Sequence, residues 1–386
     1  MQLSVIILNY NVRYFLEQCV LSVQKALANI DGEIIVVDNF SQDGSCEMIR
    51  ERFPEVLLID NKANFGFPKG NNMGVAEASG EYICILNPDT VVAEDTFEKI
   101  LAFAQTKPDL GIAGCKLIDG TGNFLPECKR GVPTPWVAAT KISGLYKLFP
   151  KSSLFNKYYA QHLSENETGK VDILVGAFMV MKRELYLQVG GFDENCFMYS
   201  DDIDLSYMVL KSGKSNYYFH ETTVIHYKGE STVRDGMYMK RFREAMQFFY
   251  KKHFKSAFVF DAFMRLGSFF FALAKKSQAR QMALHADAYV LFSDNPKLKN
   301  KIEKRLQKKL GWFTDINRNT LFSQSDFKKG ATEILLDNGS FSFREIIGFL
   351  EQYKNKGCTF KIIPGKTSYM IGSNSSNDRG QIIEIE

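Results

Sequence analysis

The sequence predicts an α/β protein built on a doubly wound, mostly parallel sheet. Two observations carry this. Over the first 120 residues, short apolar runs alternate with stretches of helical period, as strands separated by crossover helices do. Each run also ends in an acid or amide, at Asn9, Asp38, Asn61 and Asn64, then Asn87 and Asp89. Open α/β sheets bind ligands at the carboxyl ends of their strands, so this half of the chain reads as a nucleotide site.

The elements follow in order. "LSVIILNY" is a first strand, and residues 12–30 carry helical spacing through Phe15, Cys19, Val23 and Leu27. "GEIIVVDN" is a second buried strand, followed by "SQDGS" and a helix near residues 46–52. "VLLID" is a third strand, "KGNNMGVAEAS" a helix and "EYICILN" a fourth strand, which Pro88 stops. Residues 120–170 are rich in Pro and aromatics and read as a long loop or short amphipathic helices. "DILVGAFMVMK" is a strand, a helix starts at Arg183, and "MYSDDIDLSYMVLKSG" is a helix opened by three acids. His226 ends the strand after it, and a helix covers residues 239–255.

Three parts are expected: a sheet domain over residues 1–250, a basic amphipathic segment over 251–312, and a small α/β module over 313–386. The net charge of +4 hides an asymmetry, because residues 240–309 hold 17 Lys/Arg against 5 Asp/Glu. Within it, residues 257–274 form an apolar run broken by Asp261 and Arg265. Two central charges are costly in hydrocarbon, so an interfacial helix on an anionic membrane fits better than a spanning one. A soluble helix packed on the domain is the plainer alternative. "KLKNKIEKRLQKK" reads as a solvated helix or linker, and the tail as strand–helix–strand. In the tail, "EILLDNGS" echoes "EIIVVDNFS" near residue 33.

Composition narrows the class. At 45% hydrophobic and 24% charged residues the chain is globular rather than disordered. Seven cysteines, odd in number and without a C-x-x-C pair, argue for reduced thiols and against a disulfide framework or zinc cluster. "MQLSVIILNYN" reads as a strand rather than a signal peptide. Both G-x-G-x-x-G and G-x-x-x-x-G-K-[ST] are missing, which weakens dinucleotide and P-loop readings. Lys-rich, aromatic composition alone does not support nucleic-acid binding.

Three clusters carry chemistry. In "VVDNFSQDGS", Asp38 ends a strand where an acid can accept from a nucleobase N–H or ribose hydroxyl; a capped turn is the alternative. "NKANFGFPKGNNMG" leads to "ILNPDT", with Gly70 permitting close backbone approach and Asn64 and Asn71 offering donors and acceptors. Asp89 is a hard oxygen ligand suited to Mg²⁺ or Mn²⁺. Asp201, Asp202 and Asp204 open a helix after Ser200, and three acids exceed what capping needs, which leaves one to act as a general base.

The ordered set "SVIILNYN", "VVDNFSQDGS", "NFGFPKGNNMG", "ILNPDT", "GAFMVMKRELYLQVGGFDE", "MYSDDIDL" and "HYKGEST" resembles glycosyltransferase family 2. It is most similar to the rhamnosyltransferase-like branch, inverting enzymes with a GT-A fold. The resemblance implies that Tyr10, Asn11, Asp38 and the loop from Asn64 through Gly70 to Asn71 hold the nucleoside. Asn87-Pro88-Asp89 stands in place of the D-x-D metal motif. Asp202 would be the base, flanked by Asp201 and Asp204 on the acceptor side, and His226 would complete the metal or diphosphate site. The implied cofactor is a divalent cation. The implied donor is dTDP-rhamnose or a UDP-hexose. The implied acceptor is a glycan, polyprenyl-linked, which places the enzyme in the cytoplasm, peripheral on the inner face of the membrane. A non-catalytic nucleotide-sugar-binding module and a nucleotidyltransferase are the rival readings. Asn87 departs from the two-acid motif, so weaker metal dependence is expected at that ligand.

Overall fold

The computed structural model describes residues 1–142, 144–149, 152, 154–196, 200–228, 236–254, 286–316, 332–374 and 380–385. The apolar run at 257–274, most of "YKGEST" and part of "GSNSSNDRG" lie outside these residues.

The alternation read from the sequence is present. Strands β1 (Leu3–Asn9), β2 (Gly32–Asp38), β3 (Leu57–Asp60) and β4 (Tyr82–Leu86) are separated by helices α1 (Arg13–Ala26), α2 (Ser45–Arg52) and α3 (Gly66–Glu77). These four strands pair in parallel, in the order β3-β2-β1-β4. After β5 (Thr90–Val91), α4 (Thr96–Gln105) and β6 (Leu110–Ile118), the chain forms β7 (Lys129–Arg130), α5 (Pro135–Ile142) and α6 (Leu145–Leu148). Then come β8 (Gly169–Val171), β9 (Ile173–Leu174), β10 (Phe178–Lys182), α7 (Arg183–Gln188), α8 (Asp201–Lys211), β11 (Ser215–His226) and α9 (Gly236–His253). The sheet continues β4-β10-β6-β11-β5, with β10 antiparallel to both neighbours and β8 on the flank of β11. β5 runs against the end of β11, with Thr90 opposite His226.

"DILVGAFMVMK" is not one strand. It breaks between β9 and β10 at Val175, Gly176 and Ala177. The break frees two backbone groups for other work: the Ala177 carbonyl accepts from the Asn87 N–H at 3.1 Å, and the Gly176 N–H donates to Asp202 at 3.2 Å.

The C-terminal sheet begins earlier than residue 313. Strands β12 (Ala288–Phe292), β13 (Leu310–Phe313), β14 (Thr332–Asp337), β15 (Cys358–Ile363), β16 (Tyr369–Gly372) and β17 (Gln381–Glu384) form it in the order β13-β12-β14-β15-β16-β17. The Lys-rich run is α10 (Pro296–Leu306), whose Ile302 is buried against Leu291 and Leu335. α11 (Phe343–Tyr353) joins β14 to β15. This sheet shares a core with the first. Phe15, Val91, Ile225 and Tyr227 pack in one apolar cluster with Phe292, Leu336, Phe343 and Phe349. Glu94 accepts from the Phe343 and Arg344 N–H groups at 2.9 Å each, so the first domain caps α11 of the second sheet. The echo between β2 and β14 is structural as well. Asp38 takes Asn9 from the neighbouring strand and the Ser41 N–H, and Asp337 takes Ser293 from the neighbouring strand and the Ser340 hydroxyl.

Among the described residues no helix is long and apolar enough to cross a membrane.

Candidate active site

The carboxyl ends of β1, β2, β4 and β11 bring three groups of residues to one edge of the sheet.

The first group is at β1 and β2. Asn9 and Asp38 are opposite each other in the register, both buried, and the Asn9 amide donates to Asp38 Oδ2 at 2.7 Å. The other oxygen, Oδ1, accepts the Ser41 N–H at 2.7 Å. Each carboxylate oxygen is thereby fixed while keeping a lone pair for a ligand. Asn11 and Phe40 adopt left-handed backbone, with φ of 55° and 69°, conformations that a side chain other than Gly enters at a cost. The Asn11 amide oxygen offsets part of that cost by accepting the Gln42 N–H at 2.8 Å. Tyr10, Phe40 and Phe65 stand exposed around this group. Exposed rings beside a fixed carboxylate make a surface on which a flat base can stack. Phe40 and Phe65 were not foreseen, because an aromatic after a strand end reads in sequence as core.

The loop before α3 divides in two. Asn64 is exposed and its side-chain oxygen accepts the Gly66 N–H at 2.9 Å, which sets the turn into the helix. Gly70 and Asn71, expected beside the nucleoside, are both buried. A Cβ on Gly70 would lie 2.4 Å from Leu8 Cδ1, so this glycine serves the close packing of α3 on β1. Asn71 is fully buried and donates to the Phe67 carbonyl at 2.9 Å.

The second group is at β4 and β11. Asp89 and His226 are both buried, with Asp89 Oδ1 3.4 Å from His226 Nε2. The Lys228 N–H donates to Asp89 Oδ2 at 3.0 Å, and the Asn87 amide lies 3.4 Å from the same His226 nitrogen. Burial pushes the Asp89 carboxyl up, but the neighbouring His226 and the hydrogen bonds outweigh it and hold the carboxyl below its ordinary range. Among the described residues no group of three or more His, Cys, Asp or Glu gathers to hold a metal, so Asp89 and His226 are a two-donor set that a divalent cation would complete with phosphate oxygens and water. Asp89 would supply a hard carboxylate oxygen and His226 an imidazole nitrogen. An amide oxygen at Asn87 would stand beside them and add no charge.

The third group is at the start of α8. Asp202 Oδ2 accepts from Arg130 Nη2 at 2.5 Å and from the Gly176 N–H at 3.2 Å. Among the described residues Oδ1 accepts no hydrogen bond and is left for an incoming group. Burial disfavours the Arg130 cation, yet the Asp202 charge raises its pKa above the usual value. Arg130 was missed in the sequence, since "CKRG" reads as surface charge and its partner is 72 residues away.

Asp202 and Asp204 have different partners. Ser200 makes no side-chain cap to α8. Asp204 is buried against α9, where Lys252 reaches it at 2.8 Å and His253 at 2.5 Å. Its expected place on the acceptor side is therefore corrected to an ion pair that fastens α8 to α9. Asp201, beside Asp202, is buried. The Asn87–Ala177 and Gly176–Asp202 hydrogen bonds link the second and third groups through two consecutive residues.

A family model described as glycosyl transferase family 2 matches residues 4–190, ending before Asp202 and His226. The N-acetylglucosaminyl-diphospho-decaprenol L-rhamnosyltransferase of Mycobacterium tuberculosis is 28% identical over 213 residues, covering 52% of this chain and 68% of that protein. Rhamnosyltransferase WbbL of Escherichia coli is 25% identical over 172 residues, covering 42% of this chain and 61% of its own. Among solved structures, a mannosyltransferase from Pyrobaculum calidifontis in complex with GDP-Man and Mn²⁺ aligns with a TM-score of 0.48 at 17% identity. That alignment covers 72% of this chain and 76% of the other.

Proposed function

Residues 4–190 are a glycosyl transferase family 2 domain, and from that premise we propose that this chain is an inverting sugar transferase acting on a lipid-linked glycan acceptor. The donor is a nucleoside-diphosphate sugar, dTDP-rhamnose before UDP-hexose. The rhamnosyltransferases among its relatives support the donor class, and the decaprenol-linked substrate in one relative's name supports the acceptor class.

The observation that carries the reading is the placing of Asp202. Its Oδ2 is held by Arg130 and Gly176, its Oδ1 is free of them, and Gly176 adjoins the residue bonded to Asn87. In this reading Asp38, with Asn9 and Ser41 behind it, accepts from the base or ribose, while Tyr10, Phe40 and Phe65 flank the base. Asp89 and His226, with Asn87 beside them, would hold a Mg²⁺ or Mn²⁺ ion, which when bound neutralises charge on the leaving diphosphate. Asp202 Oδ1 takes the proton of the acceptor hydroxyl as that oxygen attacks the anomeric carbon. The bond from the anomeric carbon to the diphosphate oxygen breaks on the opposite side, so configuration inverts. One displacement needs one base and no nucleophilic carboxylate.

The same reading places the enzyme in the cytoplasm, peripheral on the inner face of the membrane that carries its acceptor. Its test is a donor screen by thermal shift with Mn²⁺ present, followed by NMR of the product linkage. Stabilisation by dTDP- or UDP-sugars and an inverted anomeric centre are expected. A retained configuration contradicts the mechanism.

A further inference from the structure

Of the twelve large apolar side chains that stand exposed in the described residues, four fall between residues 136 and 154. Trp136 is 51% exposed, Leu148 71%, Phe149 51% and Leu154 61%. Trp136 and Phe149 are joined through one ring, Leu148 precedes Phe149 in the chain, and Leu154 is tied to Trp136 by its backbone. That ring is Phe155, its centroid 5.9 Å from Trp136 and 5.4 Å from Phe149, and the Trp136 indole N–H donates to the Leu154 carbonyl at 2.9 Å. A soluble surface does not normally gather such residues without something to cover them.

Charge identifies the cover. From residue 131 to residue 164 the sequence holds four lysines and no Asp or Glu. Lys147 and Lys157 are exposed on the same segment. Trp, Phe and Leu beside uncompensated lysines is the composition of an interfacial membrane anchor, apolar groups entering the acyl boundary and ammonium groups meeting anionic headgroups. A protein partner would be met by mixed charge at the rim, whereas the stretch from residue 131 to residue 164 carries only one sign.

We propose that the face formed by Trp136, Leu148, Phe149 and Leu154, rimmed by Lys147 and Lys157, docks on an anionic bilayer. The face is attached directly to the catalytic group. Arg130, which holds Asp202, is followed by Gly131, whose N–H donates to the Lys157 and Tyr158 carbonyls at 3.0 and 3.2 Å. Tyr250 of α9 bonds the Pro133 carbonyl from behind. Docking therefore brings the lipid surface within a few residues of the proposed base, which deepens the reading of a lipid-linked acceptor and rests on that reading only for its purpose. The docking itself is measurable without any turnover.

The test is flotation of the full chain with phosphatidylcholine vesicles, with and without about 30 mol% phosphatidylglycerol. The wild type floats with the anionic vesicles and less with the neutral ones. The variant Trp136→Ser/Phe149→Ser/Leu154→Ser partitions at least about ten-fold more weakly. Lys147→Glu/Lys157→Glu loses the preference for anionic lipid, and because both side chains are exposed it keeps the test open if the triple variant does not fold. Both retain wild-type turnover of donor with a water-soluble acceptor. Wild-type flotation by the lysine variant, or absence of vesicle binding by the wild type, overturns the proposal. So does a wild-type dimer that the triple variant dissociates, which would make a second copy the occupant. Loss of turnover in the wild type with docking intact would instead count against the transferase reading.

Discussion

Arg130 Nη2 lies 2.5 Å from Asp202 Oδ2, and both side chains are largely buried. The pair fixes which oxygen of the carboxylate is occupied and which accepts no hydrogen bond among the described residues. Arg130→Ala leaves a buried carboxylate without its cation, so stability should drop by about 3 kcal/mol and kcat by roughly ten- to hundred-fold. Donor affinity should stay as it was, since Arg130 is not at the nucleoside end. Arg130→Lys should recover the stability better than the rate, because an ammonium supplies charge without the planar fork. Urea melts and steady-state kinetics on the two variants check this; equal kcat in Arg130→Ala and wild type contradicts it.

Asn87 is where the chain departs from a two-acid motif. Asn87→Asp adds a carboxylate within reach of His226 and beside Asp89. Mn²⁺ affinity in the presence of nucleoside diphosphate should tighten by roughly ten-fold, as added ligand charge does at hard-cation sites. Titration followed by Mn²⁺ electron paramagnetic resonance reads it directly. Unchanged or weaker binding would remove Asn87 from the metal site.

Asp89 gives a pH dependence whose sign follows from its depressed pKa. Burial opposes ionisation, but His226 and the hydrogen bonds prevail and hold the carboxyl below the ordinary 3.8. The stability this contributes is complete above the unfolded value and is lost as pH falls through the lower folded value. Asp89→Asn should therefore flatten the acid limb of stability below about pH 4. Urea midpoints measured from about pH 2 to about pH 6 test the sign, and a variant curve parallel to wild type there refutes it.

Glu94 ties the two sheets together by capping α11. Glu94→Ala should cost about 1–2 kcal/mol in urea unfolding, with a single transition kept because the core is shared. A chain cut after residue 254 would expose Phe15, Val91, Ile225 and Tyr227, whose cluster includes the second sheet. It should aggregate, as read by soluble yield, rather than behave as a separable domain.

How far the sequence could be read depends on the range of the interaction. The sheet and its strand-end residues were legible because apolar period and a polar stop are local signals, and Asn9, Asp38, Asn87 and Asp89 stand where they imply. Asp202 and Asp204 were not separable. Two residues apart they sit about 200° apart around a helix, so one faces Gly176 and the other α9, yet either could be the base by composition. Arg130 and Gly176 acquire meaning only once β7, β9 and α8 are packed. The boundary of the second sheet was misplaced for another reason: α10 has one buried face on a lysine-rich helix, and its charge outweighs Ile302 in any reading by composition.

The central claim is that Asp202 is the base of a sugar transfer from a bound nucleotide sugar. The most direct measurement is nucleoside-diphosphate release in the presence of acceptor, wild type against Asp202→Asn, with donor binding followed in parallel. The account predicts that the variant binds donor as wild type does while kcat falls by at least about a hundred-fold. Transfer at the wild-type rate by Asp202→Asn contradicts it.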